Sequence, residues 1–484
     1  MGASRPAAVS IEGWGWRHAG RRAWALSGLQ LNIEPGERVL LLGTSGSGKS
    51  TLLAGLAGVL GGDDEGEQRG RLLIDGVPAV AARGRVGLVL QDPETQVLMA
   101  RIGDDVAFGC ENLGVPREEI WRRVDDALDA VGLRMPHDHP SERLSGGQKQ
   151  RLALAGVIAM RPGLILLDEP TANLDPDGVR EVVAAVTALA AVTGSTVIVV
   201  EHRVAAWRQF AGRVVVLGPD GGIIADGTPD SVLEFEGAAL AEMGVWVPGR
   251  EPRVRFDSPE LGAKLLTAES LAVAREPSRV ILSSLDFAIA ERQAVAVTGP
   301  NGVGKSTLAL TAAGLIAPAA GVLRAEPALA AGLGPQAIGW KSRDLLPRIG
   351  VVFQSPEHQF LTSTVRDELA VGPRALKMSP SAVADRVDEL LGRLGLTALA
   401  GAHPFTLSGG QQRRLSVGTA LAASPRLLVL DEPTFGQDAV TWLALVQLFA
   451  EVRDAGTALL LVTHDELLAP SLDATPWELG RVPA

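Results

Sequence analysis

The sequence holds a single cysteine, Cys110, and has fewer basic than acidic residues. One cysteine excludes an internal disulfide and a cysteine-based zinc cluster, which fits a reducing cytosol. Lys and Arg total 45 against 56 Asp and Glu, a formal net charge of −11. This balance argues against broad binding to nucleic acid or to an anionic membrane surface. The first residues include Arg5 but no apolar stretch, so no signal peptide is expected.

Long uncharged runs are also scarce. The segment 182–200 carries no charge, but Gly194 and Ser195 interrupt it, and it is typical of a helix, a turn and a strand. We therefore expect a soluble chain, with any link to a membrane made through a partner. At 484 residues the chain is too long for one core, which predicts two or three domains.

An apolar run at residues 39–42 is followed by the spacing G-x-x-x-x-G-K-S at residues 43–50. The run predicts a buried strand and the residues after the motif predict a helix, which is the order of a phosphate-binding P-loop. Its glycines let backbone N–H groups approach phosphates, and the helix N-terminus adds partial positive charge. Lys49 supplies a cation for the β- and γ-phosphates, and the Ser50 hydroxyl can ligate Mg²⁺.

The same motifs occur twice. A second P-loop at residues 299–306 begins 256 residues after the first (299 − 43), and four further motifs recur at offsets of 262 or 263 residues. These motifs are Gln91 and Gln354, the Leu-Ser-Gly-Gly-Gln segments 144–148 and 407–411, the pairs Asp168-Glu169 and Asp431-Glu432, and His202 and His464. The repetition predicts two copies of one unit, at residues 8–236 and 264–484, with a linker at residues 237–263.

Strands alternate with helices in each copy. This order predicts an α/β fold of two tandem P-loop NTPase domains, each a mainly parallel sheet flanked by helices. The second copy has extra residues at 325–342, which are rich in Ala, Gly and Pro and predict a loop. The first copy continues past its late histidine into a predicted hairpin, 213–227, whereas only twenty residues follow His464. The second copy must therefore lack most of that hairpin.

Two motifs add chemistry to the P-loops. Asp168 and Asp431 end apolar runs, so each should lie at the carboxyl end of a buried strand beside a P-loop, where it can hold Mg²⁺. The next residues, Glu169 and Glu432, are suited to be the base that polarises an attacking water. Each Leu-Ser-Gly-Gly-Gln segment opens a predicted helix with a serine and two glycines, which makes a second kind of anion site.

This motif set resembles the ATP-binding-cassette (ABC) ATPases over nearly the whole chain. The resemblance implies a helical subdomain carrying the Leu-Ser-Gly-Gly-Gln signature in each copy. It also implies that the two copies pair head to tail, so that each ATP lies between one copy's P-loop and the other's signature. The family's conserved-aspartate loop matches residues 173–175 and 436–438, with Gln437 as a departure. Both sites are expected to be competent.

The resemblance assigns the site residues as follows. The catalytic residues are Glu169, Glu432, His202 and His464. The ATP-binding residues of the first copy are Gly43, Thr44, Ser45, Gly46, Ser47, Gly48, Lys49, Ser50, Thr51, Gln91, Ser145, Gly146, Gly147 and Gln148. Those of the second copy are Gly299, Pro300, Asn301, Gly302, Val303, Gly304, Lys305, Ser306, Thr307, Gln354, Ser408, Gly409, Gly410 and Gln411. The Mg²⁺ ligands are Ser50, Gln91, Asp168, Ser306, Gln354 and Asp431.

A further pattern points to a subtype. Q-x-P-x-x-Q at residues 91–96 and 354–359 is followed by D-[DE]-[VL]-A-[FV]-G at residues 104–109 and 367–372. The pattern resembles the energy-coupling-factor ATPases, which power cobalt and vitamin import. It implies a separate transmembrane coupling subunit that contacts residues 92–114 and 355–373, and a membrane subunit that binds the substrate. The chain would then lie at the cytoplasmic face of the cell membrane, with no nucleic-acid partner, and power uptake of a vitamin, a vitamin precursor or a metal ion.

Two other classes remain open. A soluble double-cassette ATPase of translation, acting on the ribosome, is expected to carry a long charged helical linker and a basic surface, whereas this linker is short and the chain is acidic. A sugar-importer ATPase commonly has a degenerate second P-loop, whereas residues 299–306 are intact.

The adenine ring usually stacks on an aromatic residue near the start of each cassette, and this chain has no tyrosine. In the first copy the position falls on or near His18, with Trp16 close by. In the second copy it falls near Ala274 and Arg275, and Arg275 could stack by a cation–π contact.

Overall fold

The structure, a computed structural model, describes residues 5–21, 23–44, 46–61, 65–91, 95–171, 174, 176–202, 204–276 and 279–480. The chain divides into two units. Unit 1 is Met1–Glu251 with Asp438–Val440, and unit 2 is Pro252–Gln437 with Thr441–Ala484. No helix in the part of the chain described combines the length and the apolar character needed to cross a membrane.

Unit 1 has two sheets and eight helices among its described residues. Its strands are β1 (Val9–His18), β2 (Leu26–Ile33), β3 (Arg38–Gly43), β4 (Gly66–Ile74), β5 (Val77–Pro78), β6 (Val86–Val89), β7 (Leu164–Asp168), β8 (Thr196–Val200), β9 (Arg213–Leu217) and β10 (Ile223–Gly227). Its helices are α1 (Lys49–Leu56), α2 (Ile102–Asn112), α3 (Arg117–Ala130), α4 (Gly146–Met160), α5 (Pro176–Thr193), α6 (Val204–Trp207), α7 (Pro229–Phe235) and α8 (Gly237–Glu242).

The larger sheet of unit 1 has the order β10-β9-β3-β8-β7-β6 and is parallel except for β10. All residues of β7 and β8 are buried, because helices or the second sheet cover both faces. Alternate residues of β3 pack into two separate cores: Leu40 and Leu42 into one, Val39 and Leu41 into the other. The second sheet, β2-β1-β4-β5, is antiparallel.

Unit 2 repeats this plan. Its strands are β11 (Lys264–Ala274), β12 (Val280–Ala290), β13 (Ala294–Thr298), β14 (Ala320–Ala325), β15 (Ile349–Val352), β16 (Leu427–Asp431), β17 (Ala458–Val462) and β18 (Thr475–Glu478). Its helices are α9 (Lys305–Ala312), α10 (Pro327–Ala330), α11 (Ser342–Leu345), α12 (Val365–Ala375), α13 (Pro380–Arg393), α14 (Gly409–Ala422), α15 (Ala439–Asp454) and α16 (Leu468–Ser471). The sheet β15-β16-β17-β13-β18 is parallel throughout, and β12-β11-β14 is antiparallel. The predicted α/β fold of two tandem domains is confirmed.

Two local predictions for unit 2 need correction. The predicted loop at 325–342 contains the short helix α10 and ends where α11 begins, because Pro327 fixes a helical φ at the first position and alanines follow it. At the end of the unit, β18 pairs with β13 as β9 pairs with β3. Up to Gly480 unit 2 therefore keeps the first strand of the closing hairpin and has no counterpart of β10.

The segment that joins the two sequence repeats is bound at both ends. On the side of unit 1, Val245 and Val247 are buried in the core. On the side of unit 2, Arg453 is fully buried and donates to the carbonyl oxygens of Phe256, at 3.2 Å, and Asp257, at 2.8 Å. Few residues between these two anchors are left to act as a free connection.

Candidate nucleotide sites

Each P-loop lies between a central strand and a helix. β3 ends at Gly43 and α1 begins at Lys49, while β13 ends at Thr298 and α9 begins at Lys305. Gly48 precedes α1 with φ 91°, and a Cβ there would lie 2.7 Å from the Leu26 side chain. Glycine suits this position because it has no side chain to clash and adopts a positive φ without strain. The first N–H groups of α1, which have no partner within the helix, then face the loop.

The P-loop lysines are buried and bound within their own loops. Lys49 Nζ donates to the carbonyl oxygens of Gly43 and Thr44, each at 2.8 Å. Lys305 Nζ donates to Gly299 O at 2.7 Å and to Pro300 O at 2.9 Å. Burial lowers the pKa of Lys49, and the nearby carboxylates oppose that shift. Both loops therefore place a lysine Nζ at the predicted phosphate position.

A serine hydroxyl meets a strand-end carboxylate in each unit. The Ser50 hydroxyl lies close enough to Asp168 to lower the pKa of that carboxyl, and the Ser306 hydroxyl does the same for Asp431. Burial, followed by the neighbouring Glu169, raises the pKa of Asp168 to about 6, and burial also raises the pKa of Asp431. Asp168 Oδ1 is buried without a hydrogen-bond partner. A free carboxylate oxygen beside a hydroxyl is the kind of oxygen set that Mg²⁺ prefers, so these residues fit the implied cation.

Glu169 and Glu432 share an unusual backbone. Their φ angles are 47° and 50°, in the left-handed region that residues with a side chain rarely adopt. Their N–H groups donate to Val200 O and Val462 O, each at 2.9 Å. Strained conformations of this kind concentrate at functional positions, and both units maintain one at the same place.

In unit 1 the glutamate contacts the two other polar residues predicted for the site. Gln91 Nε2 donates to Glu169 at 2.8 Å, and His202 Nε2 lies 3.0 Å from the other oxygen of Glu169. Burial disfavours the charged carboxylate, but His202 and, to a smaller extent, Lys49 together outweigh burial, so the pKa of Glu169 lies below its ordinary value. Glutamine, glutamate and histidine thus form one connected group.

In unit 2 the corresponding histidine points elsewhere. His464 Nε2 lies 2.9 Å from Asn301 Oδ1 on the P-loop. Among the residues that the structure describes, Glu432 accepts from the Thr463 hydroxyl, at 3.3 Å, and from the His464 backbone N–H, at 3.0 Å. Burial, and then the charges of Asp431 and Asp465, raise the pKa of Glu432 to about 8. The second glutamate is therefore mostly protonated at neutral pH.

The signature segments begin helices α4 and α14. Ser145 accepts from the Gln148 N–H at 3.3 Å and Ser408 from the Gln411 N–H at 3.4 Å, and each glutamine side chain accepts from the serine N–H in return. This reciprocal capping box explains the serine and the glutamine of the motif. The two glycines between them carry no side chain that could cover the helix N-terminus.

The Q-x-P-x-x-Q pattern has a structural explanation that sequence reasoning missed. Its second glutamine, Gln96, accepts from the Leu90 N–H at 2.7 Å and donates to Leu88 O at 3.0 Å. Gln359 does the same with the Phe353 N–H and Val351 O, at 3.0 and 3.1 Å. Both glutamines therefore close the loop onto the strand that precedes it. The equal spacing in both repeats was the available signal.

The acidic pattern that follows also holds a loop in place. Asp105 accepts from the N–H groups of Leu98 and Met99, at 2.7 and 2.8 Å. Glu368 accepts from the N–H groups of Leu361 and Thr362, at 2.9 and 2.7 Å. These carboxylates fix the segment that the resemblance assigns to the membrane partner.

Of the predicted adenine contacts, only one residue reaches a P-loop helix. His18 Nε2 lies 3.2 Å from Thr51 Oγ1 on α1. Trp16 is 1% exposed and donates its Nε1–H to His18 Nδ1 at 3.2 Å, so it packs in the core and positions the histidine. In the second copy Ala274 is buried and Arg275 is exposed.

The remaining predicted residues lie on the same loops and helices. Gly46 and Ser47 in unit 1, and Gly302 and Val303 in unit 2, lie between strand and helix, and Thr307 lies on α9. Gln437, the departure in the aspartate loop, donates to Gly410 O at 3.4 Å on the signature helix of the same unit. Predictions for Ser45, for residues 92–94, and for Asn173 and Asp175 lie outside the described residues.

The sequence of both units matches a known protein family. The ABC transporter family model matches residues 26–172 and 282–435, once in each unit, so the chain belongs to that family and contains two tandem copies of its ATP-binding domain.

Among its relatives is a Bacillus subtilis protein, YkoD, provisionally named as an HMP/thiamine import ATP-binding protein. It is 36% identical over 474 residues, which cover 92% of this chain and 84% of YkoD. A Bifidobacterium longum protein, provisionally named as an ABC transporter ATP-binding protein, is 37% identical over 486 residues, and the match covers 92% of this chain but 61% of that protein. The solved structure of RNase-L Inhibitor matches 95% of this chain and 86% of its own with a TM-score of 0.59 and 21% identity, which reflects the fold alone.

Proposed function

We propose that this chain is the ATP-hydrolysing subunit of an ABC importer of the energy-coupling-factor type. The observation that carries the proposal is that both units hold the full set of groups the reaction needs. Each has a buried P-loop lysine, a serine–aspartate pair, and a glutamate at the end of a central strand with a left-handed backbone.

The binding step uses charge already present in the loops. The ammonium groups of Lys49 and Lys305 can exchange their carbonyl acceptors for phosphate oxygens, and the helix N-termini supply N–H donors. Ser50 with Asp168, and Ser306 with Asp431, would hold Mg²⁺. When bound, Mg²⁺ neutralises charge that develops on the phosphates.

The hydrolytic step uses the two glutamates as bases that orient and polarise water. Glu169 is suited to this in its present contacts, since His202 favours its ionised form. Glu432 is mostly protonated at neutral pH in the contacts described, because His464 faces Asn301. Rotation of His464 towards Glu432 would favour its ionised form and give unit 2 the same arrangement as unit 1.

The matching test is ATP hydrolysis by the purified chain. We expect Mg²⁺-dependent release of phosphate that the double variant Glu169→Gln, Glu432→Gln lowers by about a hundredfold or more, as expected for loss of a general base. The proposal would be contradicted if the chain binds ATP but does not hydrolyse it, either alone or together with its membrane partners.

We also propose that the units pair head to tail, so that each ATP is contacted by one P-loop and by the other unit's signature serine. A crossed set of variants tests this. With Glu169→Gln silencing the first site, Ser145→Ala should slow the remaining turnover, whereas Ser408→Ala should leave it nearly unchanged. With Glu432→Gln the roles should reverse. A serine variant that affects only the P-loop of its own unit would exclude head-to-tail pairing.

The membrane partner is proposed from exposed apolar side chains on the segments fixed by Asp105 and Glu368. Leu98 is 63% exposed and Leu361 is 78% exposed, in equivalent positions of the two units. A single exposed apolar side chain needs no explanation by itself, but this one recurs at the same position of both units. We propose that both contact a transmembrane coupling subunit, which would bring the chain to the cytoplasmic face of the membrane.

Co-purification with membrane subunits tests the interface. The double variant Leu98→Asp, Leu361→Asp should lose the membrane subunits while keeping ATP binding. Val192→Asp is the matched control, because Val192 is 86% exposed but lies on α5, away from these segments. Equal loss in both variants, or sedimentation with ribosomes and never with membranes, would exclude the importer.

The substrate class is proposed from the relatives. Because YkoD is named for HMP/thiamine import and covers most of this chain, we propose a vitamin or vitamin precursor as the cargo, bound by a separate membrane subunit. Uptake of labelled thiamine and of labelled HMP into cells with and without this chain tests the assignment. Uptake that is unchanged for both compounds would remove it.

A further inference from the structure

The residues on either side of the late histidine differ between the two repeats. Residues 201–203 are Glu-His-Arg, whereas residues 463–465 are Thr-His-Asp. An acidic residue therefore precedes the histidine in unit 1 and follows it in unit 2. Both repeats also place a threonine, Thr171 or Thr434, two residues after the glutamate proposed as the base. In each unit the acidic residue accepts a hydrogen bond from that threonine.

In unit 1 this link is made by Glu201, which is 5% exposed. Its Oε1 accepts from the Thr171 N–H at 3.2 Å and also from the Thr171 hydroxyl. Its Oε2 accepts from the N–H of His202 at 3.0 Å. Thr171 follows β7, and Glu201 follows β8, which is the neighbouring strand of the parallel sheet. One buried carboxylate therefore joins the segment that follows the base to the segment that carries the histidine.

In unit 2 the corresponding link is made by Asp465. Its Oδ2 accepts from the Thr434 hydroxyl at 2.7 Å and from the Nε1–H of Trp442 at 2.6 Å. Its Oδ1 accepts from the Leu467 N–H at 3.0 Å. Thr434 is 5% exposed and Trp442, on α15, is 1% exposed, so both side-chain donors are buried. The threonine of unit 2 is thus held by an acid from the other side of the histidine.

An acid on either side of the histidine can make the same contact. Each histidine is the second residue after its central strand, β8 or β17. Residues two apart along an extended segment point to the same side. The residues before and after the histidine can therefore share one side, and an acid at either position can reach the threonine. Two different sequences that make one contact indicate that the contact itself matters.

We propose that Glu201 and Asp465 are positioning residues for hydrolysis, because each holds the threonine that follows the base. The bases Glu169 and Glu432 have left-handed backbones, with φ 47° and 50°. Such a conformation persists only where the surrounding structure holds it. A carboxylate that binds the threonine two residues away supplies such a restraint and keeps the base in register with the histidine segment. The effect on turnover rests on the proposed function, whereas the hydrogen bonds do not.

Removal of one hydroxyl tests the link without changing any charge. In a Glu432→Gln background, where turnover reports unit 1, Thr171→Val should lower kcat by about tenfold, because misplaced reacting groups slow a reaction steeply. The KM for ATP should stay within about twofold, since no P-loop contact changes. Thr171→Ser keeps the hydroxyl and should keep kcat within about twofold of its background. In a Glu169→Gln background, Thr434→Val and Thr434→Ser should give the same contrast.

Thr193→Val is the matched control for loss of a threonine hydroxyl. The Thr193 hydroxyl donates to Leu189 O at 2.9 Å, within the last turn of α5. This control should keep kcat within about twofold of its background. Equal kcat in the valine and serine variants of Thr171, or a lower Tm with unchanged kcat in Thr171→Val, would mean that the link does not position the base.

Moving the acid tests the proposal in unit 2. Turnover is measured in a Glu169→Gln background at pH 9, because the pKa of Glu432 is about 8 and Asp465 is one of the groups that raise it. At pH 9 Glu432 is mostly ionised whether or not Asp465 is present, so loss of Asp465 acts on position rather than on charge. Asp465→Ala should lower kcat by about tenfold. Addition of Thr463→Glu, which places the acid where unit 1 has it, should raise kcat several-fold again.

The outcomes separate the proposal from simple misfolding and from the proposed function. A double variant that has the Tm of Asp465→Ala and is no faster would contradict the proposal. If the double variant does not fold, the valine and serine pairs at Thr171 and Thr434 decide. A wild type that binds ATP without hydrolysing it would contradict the proposed function. Normal hydrolysis in the wild type, with no difference between valine and serine, would contradict the positioning role alone.

Discussion

The two nucleotide sites carry the same motif residues but not the same contacts. In unit 1, His202 and Gln91 both contact Glu169. In unit 2, His464 Nε2 contacts Asn301, and among the described residues Glu432 accepts from a hydroxyl and a backbone N–H. The first repeat has Ser45 at the position of Asn301, and serine has no amide oxygen to offer. We expect this single difference inside the P-loop to influence which partner the histidine takes.

The difference has an electrostatic result. A buried carboxylate beside an imidazole is stabilised in its charged form, whereas one beside two other acids is stabilised in its neutral form. The pKa of Glu169 is accordingly lowered and that of Glu432 is raised to about 8. Equal motifs therefore do not make equal sites, and the two should separate in the following experiments.

The largest effect should come from the glutamates themselves. Glu169→Gln and Glu432→Gln should each slow hydrolysis while sparing ATP binding, and together they should lower kcat by about a hundredfold or more. The rate left in each single variant reports the other site, and the two rates should differ. An unchanged rate in the double variant would remove both residues from the assigned role.

Replacing each P-loop lysine should show that the two sites bind ATP independently. Lys49→Ala and Lys305→Ala should each weaken ATP binding at one site by about tenfold or more, since each removes a charge-assisted contact. The other site should keep its affinity, as measured by equilibrium dialysis with the glutamates replaced. Loss of both sites in one variant would show that binding is not independent.

Thermal unfolding of the nucleotide-free chain should show opposite signs for the two glutamates. Because the folded pKa of Glu169 is lowered, its ionised form stabilises the protein at neutral pH, and this stabilisation is lost as pH falls through the folded value. Because the folded pKa of Glu432 is raised from 4.5 to about 8, its burial costs more stability as pH rises through that window.

Glu169→Gln should therefore lower Tm at pH 7, and Glu432→Gln should raise it, by an amount that grows from pH 5 to pH 8. Each 1 kcal/mol corresponds to about 2–4 °C for a unit of this size. Two shifts of the same sign would mean that the electrostatic contrast between the sites is absent.

The smallest effect should come from Asn301→Ser, which gives the second P-loop the residue found in the first. Without the amide oxygen, His464 should turn to Glu432 and lower its pKa. The stabilising effect of Glu432→Gln should then shrink when both changes are combined, in a double-mutant cycle followed by Tm. If the Tm shifts of the two substitutions are strictly additive, Asn301 does not influence the pKa of Glu432.

Much of this account follows from the sequence, because the motifs depend on short spacing. A strand, a glycine-rich loop and a helix must place Lys49 at the loop, and a carboxylate at the end of the neighbouring parallel strand must lie beside it. The recurrence of Gln96 and Gln359 at the same position of both repeats likewise predicts a role for this glutamine. It does not predict that the glutamine side chain closes a loop.

The remaining features depend on long-range packing. Whether His464 faces Glu432 or Asn301 is a choice between side-chain rotamers, which local sequence does not determine. The burial of Arg413 becomes evident only when α14 is placed against the loop after β15. The short helix α10 was missed because its four residues are too few to give a periodic signal.

The count of nucleotides bound by the chain tests the central claim most directly. Equilibrium dialysis with ATP and Mg²⁺ on the Glu169→Gln, Glu432→Gln variant should give two ATP molecules per chain. A single ATP per chain at saturation would contradict the claim that both units carry a complete site.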